Sequence, residues 1–275
     1  LEGDPWLIRH NIAAAYLFLA LEARTDWNWA LAADMNKKAL RLFSANNEPA
    51  EEARVLTNLA YVLTQRGRYI EGMQAAQKAA QSRQELGDVV GTSLSLNTWA
   101  FAEDRIGTYT SAQTHAREAL GLLRRAQQMG RPGLVREIAM VHLNLGTIQR
   151  HLVERGGLLS AETAEKLWKQ AKMHLDEAQK REDALEPFYR CELYNQLGLL
   201  YARWANWVAQ RMPQAKQQYR DLMDQTNEFH KKADQFAEEN DLRVSQADNL
   251  EDWAWIFHLR QAYRHATGDE AEPAI

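Results

Sequence analysis

The same helical hairpin is written twice between Ala53 and Ala119, at a spacing of forty residues. Ala60 is answered by Ala100, Gly67-Arg68-Tyr69 by Gly107-Thr108-Tyr109, Gly72 by Ala112, Ala76 by Ala116 and Ala79 by Ala119. Small side chains at fixed places let two antiparallel helices approach closely. A Gly-x-Tyr turn ends one helix and anchors the next with a buried ring. A chain written this way is a repeat protein, in which each helix pair buries its apolar face against its neighbours. The recurrence therefore predicts an all-α array and says little about a ligand.

Apolar segments of period 3.6 separated by short turns fill the rest of the chain, and no stretch reads as a strand. Small residues set the register of five helix pairs, at about 13–48, 53–88, 93–130, 134–183 and 187–240, with a capping helix at 245–265, all in one domain over 1–275. Asp4-Pro5 has the form of an N-cap followed by proline at the first helical position, Ser160 caps a second helix after Gly156-Gly157, and Pro213 opens a helix reaching about Glu239. Nineteen residues separate the paired small positions in the first three repeats, as from Ala60 to Ala79, but 32 separate Gly146 from Ala178 and 35 separate Gly198 from Ala233. If both helices share the excess, each gains roughly six to eight residues, or about 9–12 Å. The acidic tail after Gly268 is expected to fray.

A composition of 45% hydrophobic and 25% charged residues is that of a folded globular chain. The longest apolar run, Ile12 to Leu21, falls short of the roughly 20 residues that a membrane-spanning helix needs. A net charge of -4 and a pI near 6.1 supply no basic field for nucleic acid. Cys191 has no partner for a disulfide or a thiolate metal site, which fits a reducing, cytoplasmic setting and a place in the core. The opening Leu1-Glu2-Gly3-Asp4-Pro5 lacks the pattern of a signal peptide and reads as a piece cut from a longer protein.

Catalysis would need a convergent acid, base, nucleophile or metal set, and no such motif is spelled out. There is no His-Glu-x-x-His, phosphate loop, Gly-x-Ser-x-Gly or cysteine pair, and His258 and His265 lie seven residues apart, too far to share one metal. The expectation is a non-enzymatic chain with no catalytic residues, no metal and no cofactor.

Asn58-Leu59-Ala60 with Gly67-Arg68-Tyr69 and Ala79, Trp99-Ala100 with Gly107-Thr108-Tyr109 and Ala119, Asn144-Leu145-Gly146, and Leu197-Gly198 with Tyr201 resemble the tetratricopeptide repeat. The unit of forty residues or more is longer than the usual 34, and Gly-Asp largely replaces its helix-ending proline. With the linker from Arg83 to Gly91, this longer form looks like the repeats in the C-terminal sensor halves of STAND signal-transduction ATPases, and it is also similar to those of kinesin light chains. The resemblance implies a right-handed superhelix whose first helices line a concave groove. Carried onto this chain, the groove positions include Tyr61 in repeat two; Asn97, Phe101 and Arg105 in repeat three; Arg150 and His151 in repeat four; and Asn195 and Arg203 in repeat five. The lysine and asparagine set of the carboxylate-clamp members is not reproduced, which argues against a chaperone-tail receptor.

Arg24, Arg105, Arg150, His151 and Arg203 recur near one level of successive first helices, so they form either a basic strip for an acidic or polar peptide or ordinary helix-terminal cations favoured by the dipole. Trp204 and Trp207 share one helix face, buried either against Tyr219 and Met223 of the paired helix or, with Met212 near the tip, against another molecule. Together these features predict a protein- or peptide-binding module, the sensor or regulatory part of a multidomain signalling ATPase. A stand-alone scaffold and a repeat-type receptor for a small molecule or signal peptide are the alternatives. The expected partner is a protein, a peptide or an adjoining domain, with neither nucleic acid nor membrane involved.

Overall fold

In a computed structural model the chain is all helical, and the structure describes residues 4–155 and 159–267. Among the described residues eleven α-helices follow one another: α1 Pro5–Thr25, α2 Trp29–Ala45, α3 Pro49–Gln65, α4 Tyr69–Glu85, α5 Val89–Ile106, α6 Tyr109–Gln128, α7 Val135–Arg155, α8 Ala161–Gln179, α9 Pro187–Arg211, α10 Lys216–Glu239 and α11 Arg243–Thr267. Gly156-Gly157, the tail from Gly268 and the side chain of His265 lie outside the described residues. No helix of the described residues is long and apolar enough to cross a membrane.

The helix starts are written in polar caps. Asp4 Oδ1 accepts from the Trp6 amide at 2.9 Å with Pro5 in the first turn, Asp88 Oδ1 accepts from Gly91 at 2.9 Å, and Ser160 Oγ accepts from Thr163 at 3.2 Å. The helix ends use a left-handed residue, supplied by Gly67 (φ 75°) and Gly107 (φ 95°) where the sequence repeats its Gly-x-Tyr turn. In each turn the next amide reaches back into the helix, as from Arg68 N to Leu63 O at 2.9 Å and from Thr108 N to Glu103 O at 3.0 Å. At the corresponding place after α1 stands Trp27, left-handed at φ 57° without a glycine's freedom.

The chain divides into two compact units inside α7, Leu1–Asn144 and Leu145–Ile275. In the first, α1 packs on α2, α3 on α4 and α5 on α6, while α2 meets α3 and α4 meets α5. Ala20, Ala39, Ala60, Ala79, Ala100 and Ala119 are all buried, as close helix approach at the small positions requires. Between pairs, Leu59, Val62 and Leu63 of α3 interlock with Ala23, Ala32 and Ala33 of the preceding pair.

In the second unit α9 packs on α10, α8 meets α9, and α11 lies on both α10 and α9. Gly146 of α7 lies against Leu175 and the Ala171 carbonyl of α8, and Gly198 of α9 lies against His230 of α10. Cys191 is fully buried, its thiol 3.6 Å from the Ala233 carbonyl, so it is a core residue. The expected lengthening is concentrated in the fifth pair: α9 and α10 have 25 and 24 residues, against 21 and 19 for α7 and α8 and 17 each for α3 and α4. Pro213 does not open α10. It sits in a turn closed by Ala215 N to Met212 O at 2.8 Å, and the helix starts at Lys216.

Candidate functional site

In the first unit the residues just after the small positions of α3 and α5 come together. The Tyr61 and Phe101 rings stack with centroids 5.5 Å apart and planes at 24°, and Trp29 meets Tyr61 edge-on at 6.1 Å. A cation lies over each of the two stacked rings. Arg24 lies 5.5 Å over the Tyr61 ring and Arg105 lies 5.2 Å over the Phe101 ring, distances at which a guanidinium is held by the ring quadrupole. Trp27, in its left-handed turn, packs edge-on against Trp29 at 5.5 Å. Gln65 donates to the Tyr61 hydroxyl at 2.9 Å, which fixes that ring's polar end. Tyr61 and Phe101 are half-buried and Arg105 is exposed, so partly accessible rings and positive charge lie together in this row.

Asn97 is placed differently from an open groove residue. It is buried, and its Oδ1 accepts from the Asn144 side-chain amide at 3.0 Å. A neighbouring side chain thus occupies its acceptor oxygen.

The cations of the second unit are also engaged. Arg150, only 5% exposed, donates to Glu154 Oε1 at 2.6 Å and to Gln196 Oε1 at 2.9 Å, and its guanidinium lies 3.1 Å from His151 Nε2. Glu154 also faces Arg203 at 3.8 Å, and the Arg203 guanidinium carbon lies over the Trp255 ring, 3.5 Å from its centroid. Burial is the main influence on Arg203 and lowers its pKa; Glu154 opposes that shift and Arg150 adds to it. The strip of open cations anticipated at 150, 151 and 203 is thus a packed charge network, because Glu154 sits one helical turn after Arg150 and neutralises it. Asn195 is buried and its Oδ1 has no hydrogen-bond partner among the described residues.

Trp204 is 7% exposed and stacks on Trp168 at 6.2 Å with planes 8° apart, so its area is spent inside the unit rather than on a partner. Trp207 and Met212 retain partial exposure. Tyr219, anticipated beside the tryptophans, stacks on Tyr263 of α11 at 3.7 Å. Several histidines have a polar side-chain partner on another helix or turn: His10 with Glu48 at 2.7 Å, His115 with Glu103 at 2.8 Å, and His230 with Asn249 at 2.7 Å. Among the described residues no three His, Cys, Asp or Glu side chains converge as a metal centre would require. From the sequence no role follows directly for Trp29, or for Trp255 as the ring beneath Arg203. The signal for the second was present, since Trp253-Ala254-Trp255 repeats the form of Trp99-Ala100-Phe101.

No family model matches the chain, and no curated protein matches it in sequence. Among solved structures it is similar to the crystal structure of the apo form of RapI, with a TM-score of 0.58 and 12% identity over 96% of this chain and 83% of that one. The fold is a tetratricopeptide-like helical repeat. Five consecutive helix pairs followed by α11 among the described residues, small residues at the crossings and this structural likeness agree on it. At that identity the likeness concerns the fold alone.

Proposed function

We propose that this chain is a non-enzymatic protein- or peptide-binding module whose ligand face is the row Arg24, Tyr61, Phe101 and Arg105. The observation that carries the reading is the stacking of Tyr61 on Phe101 at equivalent places of neighbouring repeats, with a guanidinium over each ring. Rings with two rotatable bonds lose little entropy on binding, and arginine forks onto a carboxylate. The face therefore suits a segment that alternates apolar or aromatic side chains with acidic ones. Recognition is local, because the net charge of -4 provides no long-range attraction for an acidic ligand, and it weakens with salt.

We place the module as a sensor or regulatory segment of a larger cytoplasmic signalling ATPase, a context supported by the likeness of the Arg83–Gly91 linker to STAND repeats. Panning a displayed peptide library on the purified chain, followed by calorimetry, tests the binding reading. Phe101→Ala and Arg105→Ala should each weaken the selected peptides by about tenfold or more, in keeping with loss of a buried anchor. Unchanged affinity in both variants would remove this face from the function.

A further inference from the structure

α11 is built as the first helix of a sixth pair. Trp253-Ala254-Trp255 aligns with Trp99-Ala100-Phe101, and Arg203 lies over Trp255 just as Arg24 of one repeat lies over Tyr61 of the next. With Ala254 as the small position, the offsets of the earlier repeats can be read onto α11.

The face toward the preceding repeat lies five residues before and two after the small position. It is Val55 and Val62 in α3, Leu193 and Leu200 in α9, and Asn249 and Ile256 in α11, and all six residues are buried. The face toward the helix's own partner lies seven and four residues before the small position, at it, and three after. In α3 this set is Ala53, Leu56, Ala60 and Leu63, the last of which also reaches the preceding pair, and in α9 it is Cys191, Tyr194, Gly198 and Tyr201, which meet α10; all are buried. In α11 the same set is Ala247, Leu250, Ala254 and Phe257, and every member is exposed, Leu250 at 59% and Phe257 at 47%. Isolated exposed apolar residues are ordinary, but four in helical register at the positions where α3 and α9 are closed are an unfilled packing surface.

We infer that this stripe is closed by the same stripe of a second copy of the chain, with the two α11 helices antiparallel about a twofold axis. The assignment rests on self-complementarity. Ala247 and Phe257 are equally distant in sequence from Asp252, and so are Leu250 and Ala254. An antiparallel pairing centred there places Phe257 of each copy over Ala247 of the other, and Leu250 over Ala254. Large side chains then meet small ones in every layer, which fills the space between two close helices without voids or clashes. A twofold contact requires one patch to complement itself in this way. A helix from an unrelated protein would have to supply the matching small residues; α11 carries its own.

Sedimentation equilibrium of the purified chain over a concentration series tests the dimer, which has about twice the single-chain mass of 31.6 kDa. Leu250→Glu should return the mass to one chain with helix content and melting temperature of the monomer unchanged, because Leu250 faces solvent there. A second measurement fixes the register and does not depend on that variant folding. In a Cys191→Ala background, Ala247→Cys chains and Phe257→Cys chains are oxidised separately and mixed, and the mixture should cross-link far more than either alone. A single-chain mass at every concentration overturns the inference. A dimer indifferent to Leu250→Glu, or cross-linking no greater in the mixture, does so as well.

Discussion

The imidazole of His230 lies directly over Gly198, so close that a Cβ added to the glycine would stand 2.6 Å from two ring atoms. The ring cannot withdraw freely, because Nδ1 is held 2.7 Å from Asn249 Oδ1 and Asn249 Nδ2 donates back to the His230 carbonyl at 3.1 Å. Gly198→Ala gains about 1 kcal/mol of helix propensity yet forces this crossing apart, a cost of about 1–3 kcal/mol or more. The expected result is a net loss of stability in urea unfolding. Gly121 of α6 is the control, with nothing within 4 Å of its added Cβ, and Gly121→Ala should be stabilising. If Gly198→Ala gains stability as Gly121→Ala does, the crossing is looser than described.

The same histidine sets a pH dependence. Burial lowers its folded pKa, against a smaller opposing influence from the Asn249 bond. Above the unfolded value of about 6.5 the ring is neutral in both states and the full stability is present. As pH falls below that value the unfolded chain takes up the proton first, so it binds more protons than the native state and stability declines toward the folded pKa. Urea midpoints measured from about pH 7.5 down to pH 5 should fall, bracketing the ordinary histidine value. The slope should shrink in His230→Gln, and equal slopes in the two proteins would show that this histidine contributes nothing to it.

Gly87 lies at φ 71° in the turn after α4, with open space around the position of a Cβ. A substitution there changes backbone strain and nothing else. Gly87→Ala should cost about 1–2 kcal/mol, whereas Gly87→Asn should cost less, as asparagine tolerates the left-handed region. The repeat supplies its own precedent, with Asn47 at φ 54° after α2. Equal thermal shifts for the two variants would contradict a purely conformational cost.

Glu154 holds two guanidiniums, Arg150 at 2.6 Å and Arg203 at 3.8 Å. Glu154→Ala leaves both without that carboxylate in a largely buried place, and a loss of about 2–4 kcal/mol is expected. Arg150→Met should cost less, since Glu154 keeps Arg203 and the methylenes of the side chain are replaced. Chemical denaturation of the two single variants and the double variant checks the order, which fails if Arg150→Met proves the more damaging.

The small-residue register was legible because it is local and repeated: the nineteen residues from Ala60 to Ala79 force a hairpin whatever else the chain does. The turn glycines were legible for the same reason. The charge network was less so, because offsets from a small position say which side of a helix a residue occupies but not whether a neighbour has already neutralised it. Arg150 shows the difficulty, with Glu154 visible at the next turn of its helix while Gln196 arrives from a distant segment. The sixth first helix was hidden by the lengthening of the preceding units, which moved Ala254 out of the forty-residue register. Pro213 misled as a helix start because proline is equally at home in the turn where it stands.

The near-parallel indoles of Trp168 and Trp204 have an optical consequence. Two identical chromophores this close exchange excitation, so their absorption and emission belong to the pair rather than to either ring. The signal exists while α8 and α9 are in register and vanishes when they part. Trp168→Phe and Trp204→Phe should each remove more near-ultraviolet circular dichroism than one indole accounts for. In a chain with nine tryptophans, this couple gives the second unit an intrinsic marker of its own assembly, readable without a label.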